Sequence, residues 1–215
     1  MFISKQLLHD SPMPFPSNQQ IVLASGNLGK IKEIQALLHA YAIVPQSAFK
    51  VVEPEETGTT FVENAIIKAR NAARHCQLPA IADDSGLIVD ALHGAPGVIS
   101  ARYAGVGASD GDNVQKLLHA MQGVPEQLRT ARFVCVMVYM AHADDPCPLI
   151  AQGFWEGRIL NHAIGDYGFG YDPVFWLEAQ HCTSAQLAPA VKNALSHRGK
   201  ALSLLTQQLN ALHHD

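Results

Sequence analysis

Two adjacent carboxylates, Asp83 and Asp84, sit with Ser85 and Gly86 between the apolar runs Leu78–Ile81 and Leu87–Val89. Acids side by side with no basic neighbour repel one another and want open water or a cation, and a divalent ion would take their oxygens. A solvated turn closed by Asp, Ser and Gly satisfies the same residues. Upstream, the run Ile21–Ala24 passes into Ser25-Gly26-Asn27-Leu28-Gly29-Lys30 and then an apolar helical pattern. A strand, a glycine loop and a helix start place backbone N–H groups where an anion can bind, and Lys30 adds a full charge. The spacing is not that of a Walker A loop, so a plain strand-to-helix turn remains open. Glu55 and Glu56 lie in an acidic loop, and Lys68 follows Asn64 by one helical turn. Gly168-Phe169-Gly170-Tyr171-Asp172 carries two aromatics and a carboxylate on a glycine-hinged loop, and Lys192, His197, Arg198 and Lys200 form a basic cluster. Together these are cation holders (Glu55, Glu56, Asp83, Asp84), anion holders (Lys30, Lys68, Lys192, Arg198) and stacking groups (Phe169, Tyr171). A nucleotide carrying magnesium uses all three kinds, and phosphoryl chemistry asks the protein chiefly for positioning and charge neutralisation.

The elements that must position these groups follow from periodicity. Ile31, Ile34, Leu37, Leu38 and Tyr41 predict a helix after the glycine loop, and Ile43–Val44 a second strand. Thr60 with Glu63, and Ser109 with Asp112, are helix-start patterns. The acid pair is expected at the end of one short strand with a second following it. Phe133–Met140 reads as a central strand covered on both faces. Residues 148–154 and 157–160 read as a hairpin around Trp155-Glu156, and Leu202, Leu205, Leu209 and Leu212 mark a last helix. No repeat and no linker divides residues 21–215. Residues 1–20, with Pro12, Pro14 and Pro16, read as a loose extension and lack a signal-peptide cleavage site.

At 215 residues, 48% hydrophobic and 16% charged, the chain is long enough for a real core and is composed like a globular protein. A net charge of -4 argues against coating nucleic acid by counterion release. The four cysteines contain no Cys-x-x-Cys pair, which suggests reduced thiols in a cytoplasmic protein. The longest apolar run is too short to span a membrane.

Several of these stretches also resemble a known family. Ser25–Lys30, Glu55–Ala65, Ile81–Leu87, Gly94–Gly97, Ser100–Tyr103, Gly168–Pro173 and Ser196–Leu202 are similar, in order, to the motifs of the inosine/xanthosine triphosphate pyrophosphatases, the Ham1 family, in its bacterial form. The resemblance implies an α/β fold: a long mixed central sheet flanked by helices in two lobes with a cleft between them. It implies a homodimer that uses Mg2+ to hydrolyse ITP, dITP and XTP to the monophosphate and pyrophosphate. By motif, Ser25, Gly26, Asn27, Leu28, Gly29 and Lys30 would hold the triphosphate. Asp84 would be the general base and touch magnesium, with Lys68 assisting at the phosphates. Glu55 or Glu56 would be the second acidic ligand, and the motif leaves both open. Ser85 would contact substrate, while Phe169, Gly170, Tyr171, Asp172, Lys192, His197 and Arg198 would surround base and sugar. Ser25 stands where threonine is common in the family, which keeps the hydroxyl, and residues 1–20 fall outside the family pattern. Two rivals remain: a magnesium-dependent phosphotransferase, weakened by the missing Walker A loop, and a non-catalytic nucleotide-binding module, which leaves Asp84 without a task.

Overall fold

The computed structural model describes residues 20–38 and 41–212, so all but the last residue of the expected N-terminal extension lies outside it. Among the described residues seven strands form one mixed sheet: β1 (Gln20–Leu23), β2 (Ala42–Pro45), β3 (Ala80–Val89), β4 (Thr130–Met140), β5 (Leu149–Ile159), β6 (Phe175–Leu177) and β7 (Cys182–Thr183). Their spatial order is β2-β1-β3-β4-β5-β6-β7. β1 runs parallel to β2 and β3, and every pairing from β3 onward is antiparallel. Among the described residues five α-helices flank it: α1 (Leu28–Leu37), α2 (Phe61–Cys76), α3 (Asp110–Ala120), α4 (Pro189–Leu195) and α5 (His197–Ala211). No helix among the described residues is long and apolar enough to cross a membrane.

Side chains alternate along a strand, and that alternation builds separate cores. Ala80 and Ala82 of β3, with Val134, Val136 and Val138 of β4, meet the alanine face of α2 at Ala65, Ala69 and Ala72. The small alanines let helix and sheet approach closely. On the opposite face Ile81 and Met137 meet Ile34 of α1 and Leu202, Leu205 and Leu209 of α5. Further along that face Leu87, Phe133 and Trp155 pack with Leu117 and Met121 of α3. Between these last two clusters the sheet carries Asp83 and Ser85 instead of apolar side chains, and there the cleft opens.

Three expectations are corrected. The acid pair does not end a strand: β3 runs unbroken through it, with Asp83 opposite Met137 and Asp84 opposite Val136. The acids interrupt the apolar pattern, but their backbones remain in the ladder. β5 likewise continues through Trp155 and Glu156, which pair with Phe133 and Arg132, so there is no hairpin. Its glycines are sites of close approach. A Cβ on Gly153 would strike the His197 carbonyl and the Ala201 amide of α5, and one on Gly157 would strike Phe175. Finally, the basic cluster does not stand just before the last helix: Lys192 lies in α4, which begins at Pro189, and His197, Arg198 and Lys200 lie within α5 itself.

Gly153 also sets where His197 and Arg198 stand, because α5 rests on it. Gly153→Ala should therefore cost about 1–3 kcal/mol of stability by overpacking and push the start of α5 outward. A denaturation curve checks the cost, and an unchanged midpoint would show that α5 is free to shift. The cysteines Cys76, Cys135, Cys147 and Cys182 are all free thiols. Cys135 is fully buried, and burial pushes its thiol up to about 12, so it is inert as a nucleophile.

Candidate active site

A cleft of about 730 Å³ opens where β1, β3, α2 and the segment before α5 converge. At its first wall, β1 turns into α1 through Ser25, Gly26 and Asn27. Asn27 is the helix N-cap, and its side-chain oxygen accepts from the Gly29 amide at 2.9 Å and the Lys30 amide at 3.1 Å. The expected open amides at this helix start are thus partly taken by Asn27. The Asn27 amide itself donates to the Ser25 hydroxyl at 3.2 Å. Lys30 points along the cleft floor and its ammonium lies 2.8 Å from Asp83.

Asp83 and Asp84, one residue apart, face opposite sides of β3. Asp83 is 1% exposed. Its Oδ2 meets Lys30 and accepts from the Ser85 hydroxyl at 3.2 Å, which in turn accepts from Arg198 at 3.3 Å. Burial by itself would raise this carboxyl, but Lys30, then Arg198 and Lys68, outweigh it and hold Asp83 well below the usual carboxylate range. Asp84 faces α2, where its Oδ1 accepts from Lys68 at 3.0 Å and its Oδ2 from Asn64 at 3.3 Å. Here burial wins over the pull of Lys68, and the Asp84 pKa is raised. Neighbours in sequence therefore differ in kind: one is a fixed anion, the other a carboxylate moved toward the pH range in which it can take and return a proton.

The well-formed start of α2 makes the Asp84 contacts possible. Thr60 and Glu63 close a capping box, and Asn64 and Lys68 follow one turn apart on the cleft side. Asn64 is locked from behind, since its Oδ1 accepts from the Gly58 amide at 2.9 Å. Lys68 also reaches Glu56 Oε1 at 2.9 Å, while Arg102 reaches Glu56 Oε2 at 3.1 Å. For Lys68, burial would lower the pKa, but Asp83, Asp84 and Glu56 raise it, so it stays charged. Glu56 is held low: burial pushes it up, and Lys68 and Arg102 more than offset that. Both Glu56 oxygens are committed to cations, whereas Glu55 is exposed and borders the same cleft.

The other wall is the aromatic loop and the α4–α5 junction. Asp172 gathers it: Oδ2 accepts from the Phe169 amide at 2.9 Å and from Lys192 at 2.7 Å, and Oδ1 accepts from Ser184 at 2.7 Å. Lys192 lies 4.7 Å and the Arg198 guanidinium 5.7 Å from the Phe169 ring centroid, within cation–π range. Tyr171, expected as a second stacking group, instead places its ring in the α3-side core at 4% exposure and donates its hydroxyl to the Ser100 carbonyl at 2.8 Å. His197 stacks on Phe133 with centroids 4.8 Å apart. Burial, with Arg198 and Lys192 nearby, drives its pKa well below the ordinary value, so the ring is neutral. Its buried Nδ1 has no hydrogen-bond partner among the described residues.

The cleft thus brings together Ser25, Gly26, Asn27 and Lys30 with Glu55, Glu56 and Lys68. Asp84, Ser85, Phe169, Gly170, Tyr171 and Asp172 also border it, as do Lys192, His197 and Arg198. Gly29 is not on its lining, and the side chain of Leu28 is outside the described residues. Sequence reasoning did not assign Asn64, Asp110 or Asn113 to the site, although the latter two line the cleft and Asn64 touches Asp84. The Asn64–Lys68 spacing was the available signal for Asn64; nothing local marks Asp110 or Asn113. Chemically, a cleft that gathers Lys30 and Lys68, a carboxylate of raised pKa and a ring flanked by Lys192 and Arg198 suits a polyanion joined to a flat heterocycle.

A model of the Ham1 family matches residues 21–208. The chain is 60% identical over 195 residues to a dITP/XTP pyrophosphatase of Vibrio parahaemolyticus, covering 90% of this chain and 98% of the relative. It is 58% identical over 192 residues to the dITP/XTP pyrophosphatase of Pseudomonas aeruginosa, covering 89% and 97%. Among solved structures, a HAM1 protein from Coxiella burnetii superposes with a TM-score of 0.85 at 50% identity, over 90% of this chain and 99% of that one. The Ham1 protein of Staphylococcus aureus gives 0.82 at 40% identity over the same shares.

Proposed function

The chain belongs to the Ham1 family, and from that membership we propose that it hydrolyses dITP, ITP and XTP at the α-phosphorus, releasing the nucleoside monophosphate and pyrophosphate. The observation that carries this reading is the Asp84–Lys68 pair. A carboxylate with a raised pKa sits 3.0 Å from a lysine that stays charged, on the floor of a cleft lined by further cations. Asp84 takes a proton from the attacking water, and Lys68 and Lys30 neutralise charge on the phosphates. Lys30 must turn from Asp83 toward the substrate or be shared between them. Asp83 remains ionised throughout and keeps Lys30 and Arg198 in place.

The donor set fits magnesium that arrives with the nucleotide. Among the described residues no group of three or more His, Cys, Asp or Glu is arranged to hold an ion alone. Magnesium commonly binds through one or two carboxylates and completes its shell with substrate phosphates and water. Asp84 and Glu55 are the oxygens this chain would offer, since Glu56 is engaged by Lys68 and Arg102. When bound, the ion would supply Lewis-acid neutralisation of phosphate charge.

Purine choice rests with the wall carrying Phe169, His197 and Arg198. Hypoxanthine and xanthine present an acceptor at the 6-position, whereas adenine presents an amino donor. Donors facing that position would be left unpaired by adenine, a costly mismatch in a buried site. The same reading carries a homodimer acting in the cytoplasm, where deaminated purine nucleotides are removed before a polymerase uses them.

The test is a panel of ITP, dITP, XTP, GTP and ATP with magnesium, measuring pyrophosphate and orthophosphate separately. Pyrophosphate from dITP, ITP and XTP, at rates at least about tenfold above ATP, is expected. Orthophosphate with a diphosphate product would overturn attack at the α-phosphorus, and equal rates on ATP would overturn the purine choice.

A further inference from the structure

The aromatic loop is held from two sides, and only one of them belongs to its own neighbourhood. Phe169 donates its amide to Asp172, three residues on. The next amide, Gly170, donates at 2.7 Å to Oδ2 of Asp110, a residue 60 positions away in the first turn of α3. Asp110 itself borders the cleft. Gly168 and Gly170 have φ of 83° and 61°, in the region that favours glycine. The Phe169–Gly170 peptide thus lies between two hinges and is pinned by two carboxylates at consecutive amides. So pinned, the Phe169 ring reaches across to the start of α1, where a Cβ on Gly29 would touch it at 3.4 Å.

Asp110 is not needed to start its helix. Ser109 is the N-cap and forms a full capping box with Asp112: the Asp112 amide donates to the Ser109 hydroxyl, and Asp112 Oδ2 accepts the Ser109 amide at 2.9 Å. Among the described residues, the bond from Gly170 is then the hydrogen bond that the Asp110 carboxylate makes. Its other side is the cleft.

We propose that Asp110 is a positioning residue: it latches the α3 lobe to the aromatic loop, fixes the ring of Phe169 in the cleft, and so governs affinity for the nucleobase. It acts through Phe169 and leaves the chemical step to other groups. The proposal rests on the reading of the cleft as a purine triphosphate site, and its test separates the two.

Asp110→Ala and Asp110→Asn are compared with the parent in the full chain, with dITP and magnesium. The alanine variant is expected to raise KM about five- to tenfold with kcat within about twofold, the scale of one lost hydrogen bond. The asparagine variant keeps an oxygen that accepts from Gly170 and is expected to restore KM to within about twofold of the parent. Inhibition by inorganic tripolyphosphate, which has no base, is expected to be the same in all three. An unchanged KM in the alanine variant, an equal loss toward tripolyphosphate, or failure of asparagine to restore KM would each overturn the latch. Absence of dITP turnover in the parent would instead count against the proposed activity. The latch is then read by hydrogen exchange at the Gly170 amide, which should quicken in Asp110→Ala at unchanged melting temperature; unchanged exchange overturns it.

Discussion

Replacement of Asp84 by asparagine should abolish turnover of dITP, with kcat reduced about 10²–10⁴-fold, the usual contribution of a positioned general base, while magnesium-independent nucleotide binding persists. The expectation follows from what the substitution spares. The asparagine side chain would still accept from Lys68 and sit beside Asn64, so the floor of the cleft keeps its shape and loses its ability to take a proton. The pH profile supplies an independent check. Burial raises the pKa of Asp84 above the ordinary carboxylate value, with Lys68 pulling it back. Activity should therefore fall on the acid side as Asp84 becomes protonated, and the asparagine variant should lack that limb. Removing Lys68, as in Lys68→Met, takes away the lowering influence, so in whatever activity survives the acid limb should move to higher pH. A limb that stays in place in Lys68→Met, or a parent-like rate in Asp84→Asn, would assign the proton transfer to another group.

The parts of this site that the sequence reveals are those whose partners are close in the chain. Thr60 with Glu63, and Ser109 with Asp112, each satisfy a helix start within three residues, and both helices begin where those patterns place them. The central strand is legible for a similar reason, since Phe133–Met140 is apolar on both faces and β4 is covered on both. What stays hidden depends on partners distant in sequence. Asp83 and Asp84 look like a turn because nothing nearby neutralises them; Lys30 and Arg198 on one face, and Lys68 on the other, do so from three different helices. Trp155 and Glu156 look like a turn because the sequence does not show Phe133 and Arg132 of β4 pairing with them. The choice between Glu55 and Glu56 was open for the same reason. Arg102 must come from more than forty residues away before Glu56 is seen to be occupied.

The neighbour of the proposed base should reveal itself through stability. Asp83→Asn should cost about 3–5 kcal/mol, the range for removing one partner of a buried ion pair, which for a chain of this size lowers the melting temperature on the order of 10 °C. Asparagine has nearly the same shape, so little packing is lost; what disappears is the charge facing Lys30, 15% exposed, and Arg198, 3% exposed. Two cations are then held close together on the cleft floor without the anion between them. The pH dependence gives the sign. Asp83 titrates lower in the folded chain than in the unfolded one, so its contribution is complete above the unfolded carboxylate value of about 3.9 and fades as pH falls from there toward the folded value. The stability gap between parent and variant should accordingly be constant from pH 5 to 8, taken as roughly the plateau, and narrow below about pH 4. Combining Asp83→Asn with Lys30→Met should cost less than the sum of the two, because each single change leaves a buried charge that the double change removes. A gap that widens in acid, or strict additivity in the double variant, would mean that Asp83 and Lys30 are stabilised separately, and the cleft floor would have to be held by something other than their pairing.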